Sequence, residues 1–90
     1  LPEGVTEIGE DAFANTGAQR VVVQYGCKTI GKGAFRDSQS LLWIDIPDSV
    51  TQIADDAFEN CPNLTIEAPY DSYALSYAEA HGIPYDGYGE

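Results

Sequence analysis

Ile-Gly-Lys-Gly-Ala-Phe-Arg-Asp-Ser-Gln-Ser-Leu-Leu-Trp-Ile-Asp-Ile-Pro-Asp-Ser-Val-Thr, residues Ile30 to Thr51, is one full turn of a repeat that runs through most of the chain. Its core signature, Ile-Gly-x-x-Ala-Phe, stands at Ile8, Gly9, Ala12 and Phe13 and again at Ile30, Gly31, Ala34 and Phe35. It returns at Ile53, Ala54, Ala57 and Phe58 with Ala in the Gly place, so the periods are 22 and 23 residues. A fixed period of this length is the mark of a repeat architecture.

Working outward, a second block precedes each copy. Leu1-Pro2, Val5 and Ile8 match Ile46-Pro47, Val50 and Ile53, and Val23-Gln24, Cys27 and Ile30 occupy the same places without the proline. Further upstream, Leu41, Ile44 and Ile46 match Ala18, Val21 and Val23, and Leu64, Ile66 and Ala68 follow after a one-residue deletion. Three periods coexist in the unit. Ile44 and Ile46 share one face of an extended segment. Val50 and Ile53 suit a corner, and Ala57, Phe58 and Cys61 have the spacing of a short helical turn. No single amphipathic element has this mixture. A closed coil does, with every apolar position pointing inward and neighbouring coils paired through parallel strands roughly 4.8 Å apart. Phe13, Phe35 and Phe58 then form an interior ladder, and Ala12, Ala34 and Ala57 permit close approach.

The expected organisation is about three coils over residues 1–69, the first incomplete, then a cap over 70–85 and a tail over 86–90. The chain starts at Leu1 in mid-repeat, which reads as a piece of a longer protein whose upstream coils this one would contact. Asp71 or Ser72 is the N-cap candidate of a closing helix. Ala74, Tyr77, Ala78 and His81 give that helix one apolar stripe, and Gly82 followed by Pro84 ends it.

Fifteen acidic and four basic residues give a net charge of −11. That excludes the basic footprint expected of nucleic-acid binding and disfavours anionic membrane surfaces; its simplest role is solubility. No apolar run reaches the roughly 20 residues that cross a bilayer, so no membrane insertion is expected. Asp55-Asp56 and Asp86-Gly-Tyr-Gly-Glu90 lack calcium-ligand spacing, and the two cysteines have no companion ligands for zinc. Cys27 and Cys61 both fall on inward positions and read as buried thiols; a disulfide between them requires two different corners of adjacent coils to meet.

No catalytic residue, cofactor or metal site emerges. The single histidine, His81, has no nucleophile motif beside it, and Gly31-Lys-Gly33 lacks the context of a phosphate loop. The outward strand positions are the stronger lead, because repeat folds bind through rows of side chains on the sheet face. That row holds Arg20, Val22, Trp43, Asp45, Thr65 and Glu67. Trp43 stands where the other coils carry Arg20 and Thr65, so the architecture does not require an aromatic there. It can anchor a partner, cover its neighbours, or pack on a coil outside this stretch.

The unit Ile-Gly-x-x-Ala-Phe-x-x-Cys/Ser-x-x-Leu-x-x-Ile-x-Ile-Pro-x-x-Val resembles the BspA-type (Treponema-type) leucine-rich repeat family. The segment Ser72 to Tyr85 is similar to the one that closes such arrays. The resemblance implies an α/β fold: a right-handed leucine-rich repeat solenoid with short parallel strands and short helical turns, closed by a C-terminal capping helix. It also implies an extracellular or bacterial cell-surface location and adhesion to a protein or glycan ligand. A structural spacer and array cap with no ligand of its own is the alternative. The first coil departs from the pattern, with Ala18 for Leu and Gln24 for Pro, and a less regular strand is expected there.

Overall fold

A computed structural model describes residues 4–89; the proposed match of Leu1-Pro2 to Ile46-Pro47, and Glu90 of the expected tail, lie outside them. The described chain runs β1 (Glu7–Ile8), β2 (Arg20–Val22), β3 (Thr29–Ile30), β4 (Trp43–Asp45), β5 (Gln52–Ile53), β6 (Thr65–Pro69), α1 (Tyr73–Ala80) and β7 (Tyr85–Tyr88). The strands form two parallel sheets, β1-β3-β5 and β2-β4-β6-β7. Each coil contributes one strand to each sheet, and the sequence repeat is thereby the spatial repeat: Ile8 lies beside Ile30 and Ile30 beside Ile53, while Val21, Ile44 and Ile66 line up in the other sheet. The first coil's strand is as long as the second's and keeps the same register, so the Ala18 and Gln24 departures do not disturb it. Their effect is on packing: Ala18 and Val21 are half-buried where Leu41 and Ile44 are fully enclosed.

The inward positions make one core. Ile30, Ala34, Phe35, Leu41, Ile44, Ile46, Val50, Ala57, Leu64 and Ile66 are all buried. Phe35 stacks between Phe13 and Phe58 with ring centroids 5.5 and 5.4 Å away and interplanar angles of 11° and 8°. The ladder is graded. Phe35 is 0% exposed and Phe58 6%, whereas Phe13, with a coil on one side of it, is 36% exposed.

The Ala-Phe segments differ from the expected helical turns. Each is a pair of tight turns with i to i+3 hydrogen bonds, as when the N–H of Ala34 donates to Gly31 O and that of Arg36 to Gly33 O. Alternate N–H groups leave the coil: Phe13 donates to Ala34 O, Asn15 to Arg36 O, Phe35 to Ala57 O and Asp37 to Glu59 O. Helical dihedrals would direct those groups along the segment. Left-handed backbone at Asp11, Asn15, Gly33 and Asp37 (φ 56–60°) turns them toward the neighbouring coil instead. Asn and Asp accept that conformation better than other side chains. The repeat is thus sealed by hydrogen bonds on three sides, with strands on two and turns on the third.

Ser38 and Cys61 occupy equivalent places at the end of the turn segment. The Ser38 hydroxyl donates to Phe13 O at 3.5 Å and the Cys61 thiol to Phe35 O at 3.1 Å. Ser38 is buried, but Cys61 is only half-buried, and Cys27 is enclosed. The inward reading therefore holds fully for Cys27 and in part for Cys61, whose coil has no further repeat beyond it. Both cysteines are free.

After β6 the chain changes character. The Ser72 side chain accepts the N–H of Leu75 and caps α1, while His81 is the C-cap. Gly82, at φ +69°, follows, with its N–H on Glu79 O and that of Ile83 on Ala78 O. These two bonds are a Schellman closure. Ala74, Tyr77 and Ala78 face the core, but His81 is exposed at the helix end rather than part of the buried stripe. Residues expected as a tail are a strand: β7 pairs in parallel with β6, Ile66 with Tyr85 and Pro69 with Tyr88. No apolar periodicity announces Tyr-Asp-Gly-Tyr; it pairs because β6 would otherwise present a bare edge. Gly87 is needed there, since a Cβ would sit 2.5 Å from the Tyr70 ring.

Two stability outcomes follow. Phe35→Ala is expected to cost about 3–5 kcal/mol in urea unfolding, and Phe13→Ala clearly less, because Phe13 is already partly in water. Gly31→Ala is expected to cost about 1–3 kcal/mol, since its Cβ would lie 2.9 Å from Ile8 O of the adjacent coil. A neutral Gly31→Ala would mean that the coils can separate locally without loss.

Candidate functional site

The outer face of the four-stranded sheet is built by strand alternation alone. With Val21, Ile44 and Ile66 turned inward, their neighbours must point out. Parallel register then sets them in two rows: Arg20, Trp43 and Thr65 in one, Val22, Asp45 and Glu67 in the other. The structure brings all six sequence-designated residues onto this one face, and β7 extends the second row with Asp86 beside Glu67.

The rows are cross-linked. Arg20 reaches across the second coil to the third, where its Nη2 lies 3.0 Å from Glu67 Oε1. On the way its guanidinium carbon passes 5.8 Å from the centre of the Trp43 ring, within the range of a cation–π contact. Trp43 is 41% exposed and Val22 44%. Thr65, Asp45 and Glu67 are half-buried. Tyr88 lies across the face from β7, and its hydroxyl donates to Asp45 Oδ1 at 2.7 Å. Sequence reasoning missed Tyr88 because it assigned that segment to the tail; the available signal was the Tyr-x-x-Tyr pair directly after Pro84, which can form an extended run.

This face offers an aromatic plate, a guanidinium and a group of carboxylates on hydrogen-bonded strands. It holds no nucleophile beside a base, and among the described residues no group of three or more His, Cys, Asp or Glu side chains could hold a metal ion. His81 lies elsewhere, at the end of α1, stacked on Tyr77 (centroids 4.0 Å apart) with Nε2 3.7 Å from Asp55 Oδ1. That position is structural. Tyr77 continues the phenylalanine ladder edge-on against Phe58 at 6.2 Å, and its hydroxyl donates to Ala54 O and Asp55 O at 2.7 and 3.3 Å. No described helix is long and apolar enough to cross a membrane.

The family model described as a BspA type leucine rich repeat region (6 copies) matches residues 1–76. The chain belongs to this family of leucine-rich repeats, and its coils constitute a protein-interaction repeat scaffold. Neither the curated proteins nor the solved structures include a match to it.

Two phenols bind the closing elements to the coils, and both resist ionisation. Burial, followed by the accepting carboxylate of Asp45, pushes Tyr88 up to about 12. Burial, followed by Asp55, raises Tyr77 beyond the ordinary phenol range. Burial also raises the thiols of Cys27 and Cys61. For each group the folded value exceeds the unfolded one, so its contribution is complete below the unfolded pKa and disappears as pH rises through the folded one. The urea midpoint is expected to fall from about pH 9–10 upward. In Tyr77→Phe the alkaline fall should be shallower. An unchanged alkaline slope in that variant would separate the phenol from the stability of the cap.

Proposed function

We propose that this chain is a non-enzymatic recognition module of a bacterial cell-surface or secreted protein, and that it engages a protein or glycan through the outer face of the four-stranded sheet. The observation that carries the reading is Trp43. Hydrophobic burial favours enclosing an indole, and the equivalent positions of the other coils are filled by Arg20 and Thr65. Yet Trp43 remains 41% exposed at the middle of the face. Covering its neighbours would not require that much indole to stay in water. Aromatic side chains are enriched at interface hot spots.

The mechanism is rigid presentation. Inter-coil hydrogen bonds already fix the backbone of β2, β4 and β6, so little chain entropy is lost on binding. Membership of a family whose proteins are typically bacterial surface or secreted ones supports the location. The division into coils over 1–69 and a cap over 70–85 is part of the same proposal, with β7 added to the closing element. A spacer and array cap is favoured by one specific observation: the polar groups of the face partly satisfy each other, through Arg20 with Glu67 and Tyr88 with Asp45.

A binding screen against extracellular-matrix proteins and a glycan array, with Trp43→Ala alongside, separates the two. Recognition through this face predicts a partner whose affinity falls about 10-fold or more in the variant, as for a hot-spot aromatic. A true partner bound equally by both proteins removes Trp43 from the site, and binding of nothing by either favours the spacer.

A further inference from the structure

We propose that the sheet face takes a cationic side chain of its partner, an arginine or lysine in an extended basic segment of a protein, in the slot over Trp43 that Arg20 now fills. The proposal rests on the sheet-face reading and names the chemistry of its ligand.

Three observations carry it. The first is the occupant. Arg20 spans from the first coil to the third to place its guanidinium over the indole and against Glu67. The slot is therefore shaped for a planar cation, with an aromatic surface below and a carboxylate at its end. Yet Arg20 is a weak tenant. Its side chain is 55% exposed, and an ion pair of that kind contributes little. The same contacts strengthen when a partner excludes water.

The second observation is the charge left over. Among the described residues, Asp45 and Asp86 have no cationic partner, and they share a row with Glu67. Asp45 is half-buried and accepts the Tyr88 hydroxyl on one oxygen, which fixes the carboxylate beside the indole. Arg20 is the one cation on this face among the described residues: Arg36 is committed to Asp11 and Asp37 on the turn side, and Lys28 and Lys32 precede and follow β3 of the other sheet. With −11 over the whole chain, the long-range field also draws basic partners.

The third is what the arrangement disfavours. A neutral sugar ring stacked on the indole would have to share it with Arg20, whose guanidinium carbon lies 5.8 Å from the ring centre. A basic side chain that displaced Arg20 would take over the contact with Glu67, whereas a neutral ring would leave Glu67 unpaired.

Trp43 is the only tryptophan, so its fluorescence and its single indole N–H resonance report on this slot alone. The experiment titrates the protein with an Arg-Gly repeat peptide and with its Gln-Gly counterpart. Three variants accompany it: Arg20→Gln, Glu67→Gln, and Lys28→Gln as the control that changes net charge equally outside the face. The Arg-Gly peptide is expected to shift the indole signal and the Gln-Gly peptide to leave it unmoved. Arg20→Gln, which empties the slot, should tighten binding about 2- to 5-fold. Glu67→Gln should weaken it, and Lys28→Gln should match the parent protein. Equal tightening in Arg20→Gln and Lys28→Gln, or binding without an indole response, would overturn the cation slot and leave only diffuse attraction to an acidic protein. If the peptide fails at Trp43 while a matrix protein or glycan still binds in a Trp43-dependent manner, the cation slot falls and the wider recognition reading stands. If nothing binds in a Trp43-dependent manner, both fall.

Discussion

Neighbouring coils sit one strand spacing apart, roughly 4.8 Å, and that distance is set by backbone hydrogen bonds on three sides of the coil. Everything else must conform to it. At this spacing each side chain lies directly over its counterpart in the next coil, so a favourable contact is repeated and an unfavourable one is repeated too. Phenylalanine rings tolerate the translation by stacking nearly parallel, as Phe13, Phe35 and Phe58 do. Isoleucine does so in both sheets. Where the backbones themselves approach, only small residues fit, and Gly31 against Ile8 O is the tightest such place. Ala54 occupies the corresponding position one coil later, with its N–H on Ile30 O at 2.9 Å rather than the 2.7 Å of Gly31 on Ile8 O. The interface between the second and third coils is slightly wider at that point.

A stack built this way stabilises its middle more than its ends. The gradient is visible in the burial of equivalent residues: Ile44 is enclosed while Val21 is half-buried, and Phe35 is enclosed while Phe13 is partly exposed. At the other end, a helix and one extra strand substitute for a fourth coil. Tyr77 stands where the next phenylalanine of the ladder would be. Its hydroxyl reaches Asp55 O, a carbonyl whose counterpart Lys32 O accepts the N–H of Asp11. In the third coil that N–H does not arrive, because Gly33 donates instead to the Asp56 carboxylate. The cap thus supplies the apolar surface that a further repeat would have given, and a hydroxyl for a carbonyl that the preceding coil leaves without its N–H.

How much of this the sequence discloses depends on what each residue is answering to. Positions that answer to the stack recur, and so Ile8, Ile30, Ile53, the phenylalanines and the six outward residues could be placed from spacing alone. The α1 helix was legible for a different reason: Ser72, Gly82 and the Ala74-Tyr77-Ala78 stripe are local signals. What was not legible answers to the neighbouring coil rather than to the chain itself. The Ala-Phe segment has helical spacing, but its N–H groups find better partners across the gap, and Asn15 and Asp37 supply the left-handed backbone that turns them. β7 has almost no intrinsic strand signal and is a strand because β6 offers an edge. Cys61 repeats an inward position, but its exposure is decided by the lack of a following coil. Tyr88 joined the candidate face only through β7, so an error about the tail became an error about the site.

The same division bears on function. Repetition consumes the information of the inward positions, since any departure there would be multiplied through the stack. Outward positions are under no such constraint, and departures from repetition there are where a specific surface can be written. The first row reads Arg20, Trp43, Thr65 and the second Val22, Asp45, Glu67, with no residue recurring in either. Against a core whose neighbours are nearly identical, the sheet face varies from coil to coil. Fixing it costs nothing extra, because the hydrogen bonds that hold the coils also hold the rows. A scaffold of this kind leaves its outward side chains free to vary while its core stays as it is, and the contacts of Arg20 with Trp43 and Glu67 show that side chains from three successive coils meet on that face.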